Sequence, residues 1–562
     1  MADQHRVVDH IVDYLAATGI THVFGVDGAN IEDLFDAAYS CDGITAVLAK
    51  HEFSAAAMAD GYSRSGAGIG VVAATSGGGC LNTVPGLGES LAGRVPVLAL
   101  IGQAPTVLDG RGAFQDTSGD NGSLDAQSLF SAVSVYCRRV VDPDDIRTAL
   151  PDALAAARAG GPAVLLLPKD IQQSPLDGSI DGRNNRTPSA QCDSDLGTLE
   201  RALRDVDGPI TIIAGEQVAR DDARTALESL RAVLRAAVAT TPDAKDVAGI
   251  PELGSSFGVG VAGVMGHPGV IATAARSALC LLVGSRMPVT ARAGLDEVWS
   301  TVPTYSIGAQ EPYLSCGHVY SDDLRVSLAH LTRALGGAGQ RKPKTVAPGG
   351  LRPPDHHGPG IRYRDAMTVL DAALPDGTDI VVDAGNIGAS AIHHLPVRRD
   401  GRFIVALGMG GMGYSFGAGI GMTFHRGTGG RRRTVVIAGD GAFFMHGMEI
   451  HTAIQYRLPI TFVLFDNHAH AMCVTREQLF YGNRHCYNRF GPSRLGAGLA
   501  AMFPGLPAAD VTEIHDLPNA VQAALYADGP SVLGIECSAD EIPPFAPFLT
   551  AQEAENHVPA RT

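Results

Sequence analysis

Two short stretches in the last third of the chain carry residue types suited to a metal ion and a phosphate. An apolar run, Thr434 to Ala438, ends in Gly439-Asp440-Gly441, and Ala442 follows. Asn467 stands 27 positions after Asp440, within Asp466-Asn467-His468-Ala469 and directly behind a second apolar run, Thr461 to Phe465. Read as neighbouring parallel strands, the two runs deliver these residues to strand C-terminal ends, where doubly wound sheets bind ligands. Mg²⁺ takes an octahedron of oxygens, usually one or two carboxylates with phosphate oxygens and water. Asp440 offers the carboxylate and Asn467 an amide oxygen. Gly439 and Gly441 let backbone N–H groups come close to a phosphate. Gly-Asp-Gly alone is also a common turn; the spacing behind two strands is what argues for a metal-held diphosphate.

The first third holds a second set: Lys50-His51-Glu52-Phe53 before a helical stretch, Ser54 to Ser63, then Thr75-Ser76-Gly77-Gly78-Gly79-Cys80-Leu81-Asn82, then Arg111 to Asp116 with Phe114-Gln115 inside it. A lone Glu on a helix is ordinarily a surface residue. Here its neighbours change that reading. Their order resembles the pyrimidine-binding domain of the thiamine diphosphate (ThDP)-dependent enzyme superfamily. It is close to the acetohydroxyacid synthase-like branch of acetolactate synthase large subunits and 2-oxoacid decarboxylases. The family's usual Ser-Gly-Pro-Gly has Gly78 in place of Pro, which loosens the turn.

The resemblance extends to the Asp440 region, where the superfamily pairs Gly-Asp-Gly with a downstream Asn-Asn. This chain has Asp466 at the first of those positions. The resemblance implies ThDP and Mg²⁺ as cofactors and Asp440, Asn467 and the backbone carbonyl of Ala469 as metal ligands. It implies Glu52 as the group that activates the cofactor. ThDP must lose its C2 proton, and a carboxylate hydrogen-bonded to the pyrimidine ring favours the tautomer that takes it. Asn82, Gly439, Gly441, Ala442, His470 and Met472 fall at further cofactor-facing positions, and Gln115 and His470 are candidates for handling substrate.

Gly408-Met409-Gly410-Gly411-Met412-Gly413 stands where the family places the wedge under the folded cofactor, with Met412 as the bulky residue and Gly410 allowing close approach. Gly385-Asn386, behind the run Ile380 to Asp383, matches the other diphosphate-facing turn. The wedge is also a literal G-x-G-x-x-G behind an apparent strand, Phe403 to Leu407. A dinucleotide site wants an acidic residue about 20 positions on. That region is Gly429-Gly430-Arg431, without an acid, which argues against the nicotinamide reading.

Met472 to Arg484 is similar to the lid of acetohydroxyacid synthases, where a Trp occupies the place of Arg476. An Arg there suits a carboxylate or phosphate on the acceptor, and a surface Arg on a lid is the plain alternative. Ala29 is a further substrate-side candidate. His468 and His470 either shuttle protons beside the thiazolium or are structural. His393-His394 reads as structural, and His356-His357 as exposed linker.

These residues need a scaffold. With 562 residues, two to four domains are expected, and three fit best. The fold class is α/β, with three doubly wound parallel-sheet domains: pyrimidine-binding at 1–175, central at 196–335 and diphosphate-binding at 361–545. In the first, helix-like Val7–Ala17 is followed by strand-like Thr21–Gly25, Ile69–Ala74, Val95–Ile101 and Ala163–Leu167. The second has Ile210–Ala214 and Leu279–Val283, and the third adds Ser531–Glu536 and a helix at Glu449–Tyr456. A polar linker, 176–195, and a Gly/Pro-rich one, 336–360, separate them. The tail after Ala546 is expected to fray or to cover a site, and no internal repeat is evident. The central block resembles the family's middle domain, which binds FAD or a CoA nucleotide in some relatives and nothing in others; no residue set here decides between them.

Hydrophobic residues make up 45% and the formal net charge is −16. An acidic chain argues against nucleic acid and an anionic membrane as partners, and Arg431-Arg432-Arg433 reads as a solvated loop. The polar start, Met1 to Tyr14, and nine scattered Cys point to a reducing cytoplasm without a zinc or disulfide framework. Partners are then small molecules, a 2-oxoacid donor and a carbonyl acceptor. The superfamily likeness implies a homodimer or homotetramer with sites between subunits. The expected reaction is decarboxylation of a pyruvate-like 2-oxoacid with acyl transfer to the acceptor. The alternatives are a non-ligating decarboxylase, a 2-hydroxyacyl-CoA lyase or oxalyl-CoA decarboxylase-like enzyme, and a regulatory ThDP-binding paralogue, against which Glu52 argues.

Overall fold

A computed structural model describes residues 5–176, 196–248, 258–336, 347–427 and 432–556. The first linker beyond Leu176, Pro343 in the second, and Gly429-Gly430-Arg431 lie outside the described residues.

The strands form three all-parallel sheets of six. The first holds β1 (His22–Val26), β2 (Thr45–Leu48), β3 (Gly70–Ala74), β4 (Val97–Gln103), β5 (Tyr136–Arg139) and β6 (Pro162–Pro168) in the order β2-β1-β3-β4-β6-β5. The second holds β7 (Ile210–Ala214), β8 (Ala237–Thr240), β9 (Gly258–Val261), β10 (Leu279–Val283), β11 (Thr304–Gly308) and β12 (Gly317–Tyr320), ordered β12-β11-β10-β7-β8-β9. The third holds β13 (Asp379–Val382), β14 (Phe403–Val405), β15 (Thr434–Gly439), β16 (Ile460–Asp466), β17 (Ala508–Val511) and β18 (Ser531–Glu536), ordered β14-β13-β15-β16-β18-β17. Counted within each sheet, the first and third share one strand order. The sequence shows no repeat, but the topology is repeated.

Parallel strands buried on both faces read as continuous apolar runs. β3, β4 and β6 are buried throughout. Successive residues alternate between two cores, Val71 and Ala73 on one face, Val72 and Ala74 on the other. The second of these cores continues into the third sheet through Val436, Ala438, Phe462 and Leu464. The first and third sheets therefore face one another across a shared apolar layer. Helices Glu52–Tyr62 and Tyr414–Arg426 cross inside it. Gly61 lies on the backbone of Ala418 and Gly421 on that of Met58, so a Cβ at either glycine would collide with the other helix.

A buried charge cluster joins all three blocks. Arg402 donates to Asp246 and, at 3.2 Å, to Glu216 of the middle block, and to the carbonyl of Arg64 in the first. Arg64 in turn donates to Asp60 at 2.6 Å.

Three local expectations change. Gly439-Asp440-Gly441 is not a turn: Gly439 ends β15 and helix Asp440–His446 starts on Asp440. The helix expected from Glu449 begins at Ile450, after a 3₁₀ turn, Gly447–Glu449. Arg433 is not a solvated residue, because its guanidinium donates to the carbonyls of Ile460, Ala527 and Gly529 and to Thr461 and Ser531, and burial pulls its pKa down to about 10. Arg432 donates to the carbonyl of Asp400 at 2.8 Å. Among the described residues no helix is long and apolar enough to cross a membrane.

Candidate cofactor and metal site

The candidate residues gather in two clusters, one on each of the topologically matched sheets. In the first, His51 caps helix Glu52–Tyr62 by accepting from Phe53 N at 3.1 Å, and this places Glu52 in the first helical turn. Asn82, on helix Gly78–Gly93, donates from Nδ2 to Glu52 Oε2 at 2.9 Å. Glu52 Oε1 accepts no hydrogen bond among the described residues. A Cβ on Gly79 would sit 3.2 Å from it, so glycine leaves that side open. Gln115 adopts φ +60 and its Oε1 accepts from Thr75 and, at 3.5 Å, from Ser76, while Asn30 donates to both hydroxyls. Its side chain packs against Gly77, whose φ of +65 and lack of a Cβ make room for it. Exposed Ala29 gives its carbonyl to Lys169 Nζ at 2.6 Å.

In the second cluster Asp440 is fully buried. Its Oδ1 accepts from Gly441 N at 2.9 Å and its Oδ2 from Ala469 N at 3.0 Å. Burial, with Asp466 close by, pushes its pKa up to about 7. Burial raises Asp466 as well. Asp440, Asp466 and His468 bring potential ligand atoms within 4.8 Å of one another. His468, at φ +54, approaches Asp466 through Nδ1 at 3.0 Å and Glu536 through Nε2 at 2.9 Å. That left-handed residue separates Asn467 from Ala469. Asn467 Nδ2 donates to Tyr363 Oη at 3.2 Å, and its Oδ1 is buried with no partner.

His470, Gly441 and Met412 meet. A Cβ on Gly441 would lie 2.5 Å from His470 Nδ1 and 3.3 Å from Met412 Cε. His470 Nδ1 is buried and unpartnered, with Phe490 edge-on at 4.7 Å. Gly385 caps helix Asn386–His394 at φ +104 over open space. Asn386 is buried, donates to the carbonyl of Glu541 at 3.4 Å and leaves Oδ1 unpartnered. Ala442 is buried in the shared core. Met472 and Arg476 ride on helix Ala471–Tyr481, Met472 half-buried and Arg476 exposed. His393 and His394 end helix Asn386–His394, and Leu351 N donates to His393 Nε2.

Several residues that hold these parts were not singled out from sequence. Asp383 accepts from Gly413 N and Ser415 N at 3.0 Å, fixing the end of the glycine loop. Glu541 accepts from Tyr363 N, and burial moves its pKa up to about 7. Asp383 had a local signal, an acid at a strand end two residues before Gly385. Tyr363 and Glu541 act across more than 100 residues of chain, and nothing in their local sequence marks them.

Residues 5–124 match the thiamine pyrophosphate enzyme N-terminal TPP binding domain, and residues 383–535 the corresponding C-terminal TPP binding domain. The chain belongs to the thiamine diphosphate-dependent enzymes. This ThDP-dependent enzyme is 27% identical over 546 residues to the acetolactate synthase isozyme 2 large subunit of Escherichia coli K12, covering 95% of each chain. It is 26% identical over 582 residues to the chloroplastic acetolactate synthase of Arabidopsis thaliana, covering 96% of this chain and 82% of that one. A crystal structure assigned to ThDP-dependent enzymes, from Mycobacterium smegmatis, superposes with a TM-score of 0.77 at 22% identity. It covers 95% of this chain and 100% of its own, and shares the fold.

The residues of this ThDP-dependent enzyme fit its cofactor. Added Cβ atoms on Gly385 and Gly410 would meet nothing within 4 Å, and one on Gly439 only Phe465 O at 3.9 Å, so the second cluster is lined by uncovered backbone. Three buried polar atoms there, on Asn386, Asn467 and His470, lack partners. Buried polar atoms are normally satisfied; a metal would satisfy the amide oxygen of Asn467, and a diphosphate oxygen would accept from His470 Nδ1 when that nitrogen carries the proton.

Proposed function

We propose that this enzyme uses ThDP and Mg²⁺ to decarboxylate a pyruvate-like 2-oxoacid and to transfer the acyl unit to a carbonyl acceptor, as an acetolactate synthase does. The observation that carries this reading is the division of labour between the clusters: a carboxylate held by Asn82 with one oxygen open on one sheet, and a buried carboxylate beside an unpartnered amide oxygen on its topological twin. Similarity to acetolactate synthases over nearly the whole chain supports the ligating branch.

Asp440 Oδ atoms, Asn467 Oδ1 and the carbonyl of Ala469 would hold Mg²⁺, a hard ion that takes oxygen ligands. Gly439, Ala442, Gly385 and Asn386 would present backbone N–H groups to the diphosphate, Gly441 would leave room beside it while its own N–H stays on Asp440, and Met412 would support the folded cofactor. Glu52, steadied by Asn82, would hold a proton at the ring nitrogen of the pyrimidine through its open oxygen. The bound cofactor supplies a nucleophilic carbon and an electron sink. Gln115 would orient a substrate carbonyl from Nε2, since its oxygen is engaged by Thr75. His470, seated on Gly441, would move a proton at the substrate. The clusters sit on separate sheets, and large apolar side chains are exposed on the elements that carry them, Phe114 at 77% and Leu81 at 44% on one, Met409 at 61% and Phe444 at 54% on the other. This supports a homodimer, or a pair of dimers, in which one chain's Glu52 faces the partner's metal cluster.

The test is CO₂ release from pyruvate with ThDP and Mg²⁺, products identified by mass spectrometry, beside Glu52→Gln. Release that falls about a hundredfold or more in the variant supports Glu52 as the activating group. Acetaldehyde as the sole product would replace ligation by simple decarboxylation.

A further inference from the structure

We propose that Glu89 and Glu449 are a reciprocal pair of positioning residues, each gripping from its own block the backbone that carries a cofactor-facing side chain on the other. Glu89 lies on helix Gly78–Gly93, in the connection that follows β3. Its Oε1 accepts from Gly408 N at 3.0 Å, and its Oε2 from Met409 N at 2.6 Å and Gly410 N at 3.3 Å. Glu449 lies in the connection that follows β15. Its two oxygens accept from Lys50 N at 3.0 and 3.1 Å, and Thr452 Oγ1 donates to it at 2.6 Å.

The two contacts are topologically equivalent. β3 and β15 hold the same place in their sheets, as do β2 and β14. Lys50 follows β2, and Gly408 to Gly410 follow β14. Each glutamate therefore reaches from the connection after the third strand of its own sheet to the loop after the second strand of the other.

Both carboxylates are nearly sealed, with 3% and 1% of their residue surface exposed. A buried carboxylate is costly unless hydrogen bonds compensate it, and bonds from N–H groups to an ionised acceptor are among the strongest a protein makes. Each loop is thus fixed by one carboxylate from the opposite block. Lys50 is two residues before Glu52, and Gly410 is two residues before Met412. The helix that carries Glu89 also carries Asn82, which holds Glu52. The segment ending at Glu449 begins with Asp440.

This inference rests on the reading of Glu52 and Met412 as cofactor-facing. The experiment uses the full-length protein as wild type, Glu89→Gln and Glu449→Gln; Gln keeps the shape and one acceptor oxygen. Amide hydrogen exchange without cofactor is followed by mass spectrometry in peptides covering 50–53 and 408–413. ThDP–Mg²⁺ affinity is titrated, and loss of the C2 proton of bound ThDP is timed by quenched NMR. Glu449→Gln is expected to speed exchange only in 50–53 and to slow C2 proton loss about tenfold, with affinity within about threefold of wild type. Glu89→Gln is expected to speed exchange only in 408–413 and to weaken affinity about tenfold, with C2 proton loss on the bound cofactor within about threefold. Two variants that melt lower and change every readout alike would mark the pair as general packing and overturn the proposal. So would unchanged C2 proton loss and affinity. Wild type that binds no ThDP would sink the cofactor reading itself, and this inference with it; that result is distinct from failure of the variants alone.

Discussion

Asn467 and Tyr363 are joined amide to phenol: Nδ2 donates to the Tyr363 oxygen at 3.2 Å, which turns the amide oxygen to the opposite side, buried and unpartnered. The orientation of the proposed metal ligand thus depends on a residue outside the proposed ligand set. Removing the phenol oxygen leaves the fold but frees the amide to flip. The phenol also donates to the carbonyl of Ser538 at 3.3 Å, so Tyr363→Phe should lower the melting temperature of the cofactor-free protein by a few degrees and weaken Mg²⁺–ThDP binding about fivefold to tenfold, roughly one hydrogen bond's contribution. Calorimetric titration checks this, and equal affinity would show that the amide needs no such anchor.

Gly439 separates space kept for a ligand from space kept for packing. Its backbone is extended, φ −88, and an added Cβ would meet only Phe465 O at 3.9 Å. Gly439→Ala should leave the stability of the cofactor-free protein within about 0.5 kcal/mol of wild type while reducing ThDP affinity by about tenfold or more. If affinity is unchanged, the open volume above Gly439 does not belong to the cofactor.

Glu541 makes stability depend on pH. Burial moves its pKa up to about 7 from an ordinary value of 4.5, so the folded state holds a proton that the unfolded state has released. Its contribution is fully present below the unfolded pKa and is lost as pH rises through about 7. Glu541→Gln should melt close to wild type at pH 5 and several degrees higher at pH 8. Parallel melting curves across that range would remove Glu541 from the account.

Arg476 is exposed on helix Ala471–Tyr481, in the segment whose resemblance to the acetohydroxyacid synthase lid implies a Trp at this position. Arg476→Trp should lower kcat/KM for an acceptor bearing a carboxylate about tenfold relative to a neutral aldehyde, with ThDP affinity unaltered. Equal losses on both acceptors would leave Arg476 as a surface residue.

The central strands and both motif clusters were legible in the sequence because their signals are local. A strand buried on both faces, such as Val97–Gln103 or Ile460–Asp466, is a run of apolar residues whatever surrounds it. Of the edge strands, buried Phe403–Val405 gave that signal and three others did not. Thr45–Leu48, Tyr136–Arg139 and Gly317–Tyr320 are half solvated and mix polar with apolar residues. The motif around Asp440 was visible, but its helical start was not: Gly-Asp-Gly suits a turn equally well, and only β15 feeding directly into Asp440 selects the helix. Tyr363, Glu89 and Glu449 were not legible for a different reason. Each works on a backbone group or side chain more than 100 residues away, a distance no spacing rule reaches.

The Arg402 cluster bears on how such a chain can be cut and recombined. Arg402 satisfies carboxylates of the middle block and a carbonyl of the first from a position at the start of β14. Removing one partner of a buried ion pair typically costs about 3–5 kcal/mol, a large share of a domain's whole stability. A fragment ending at either linker would expose that loss at once, and so would a chimera whose middle block came from a relative without Asp246 and Glu216. New specificity in this scaffold is therefore easier to reach by changing surface segments such as the helix bearing Arg476 than by exchanging whole blocks.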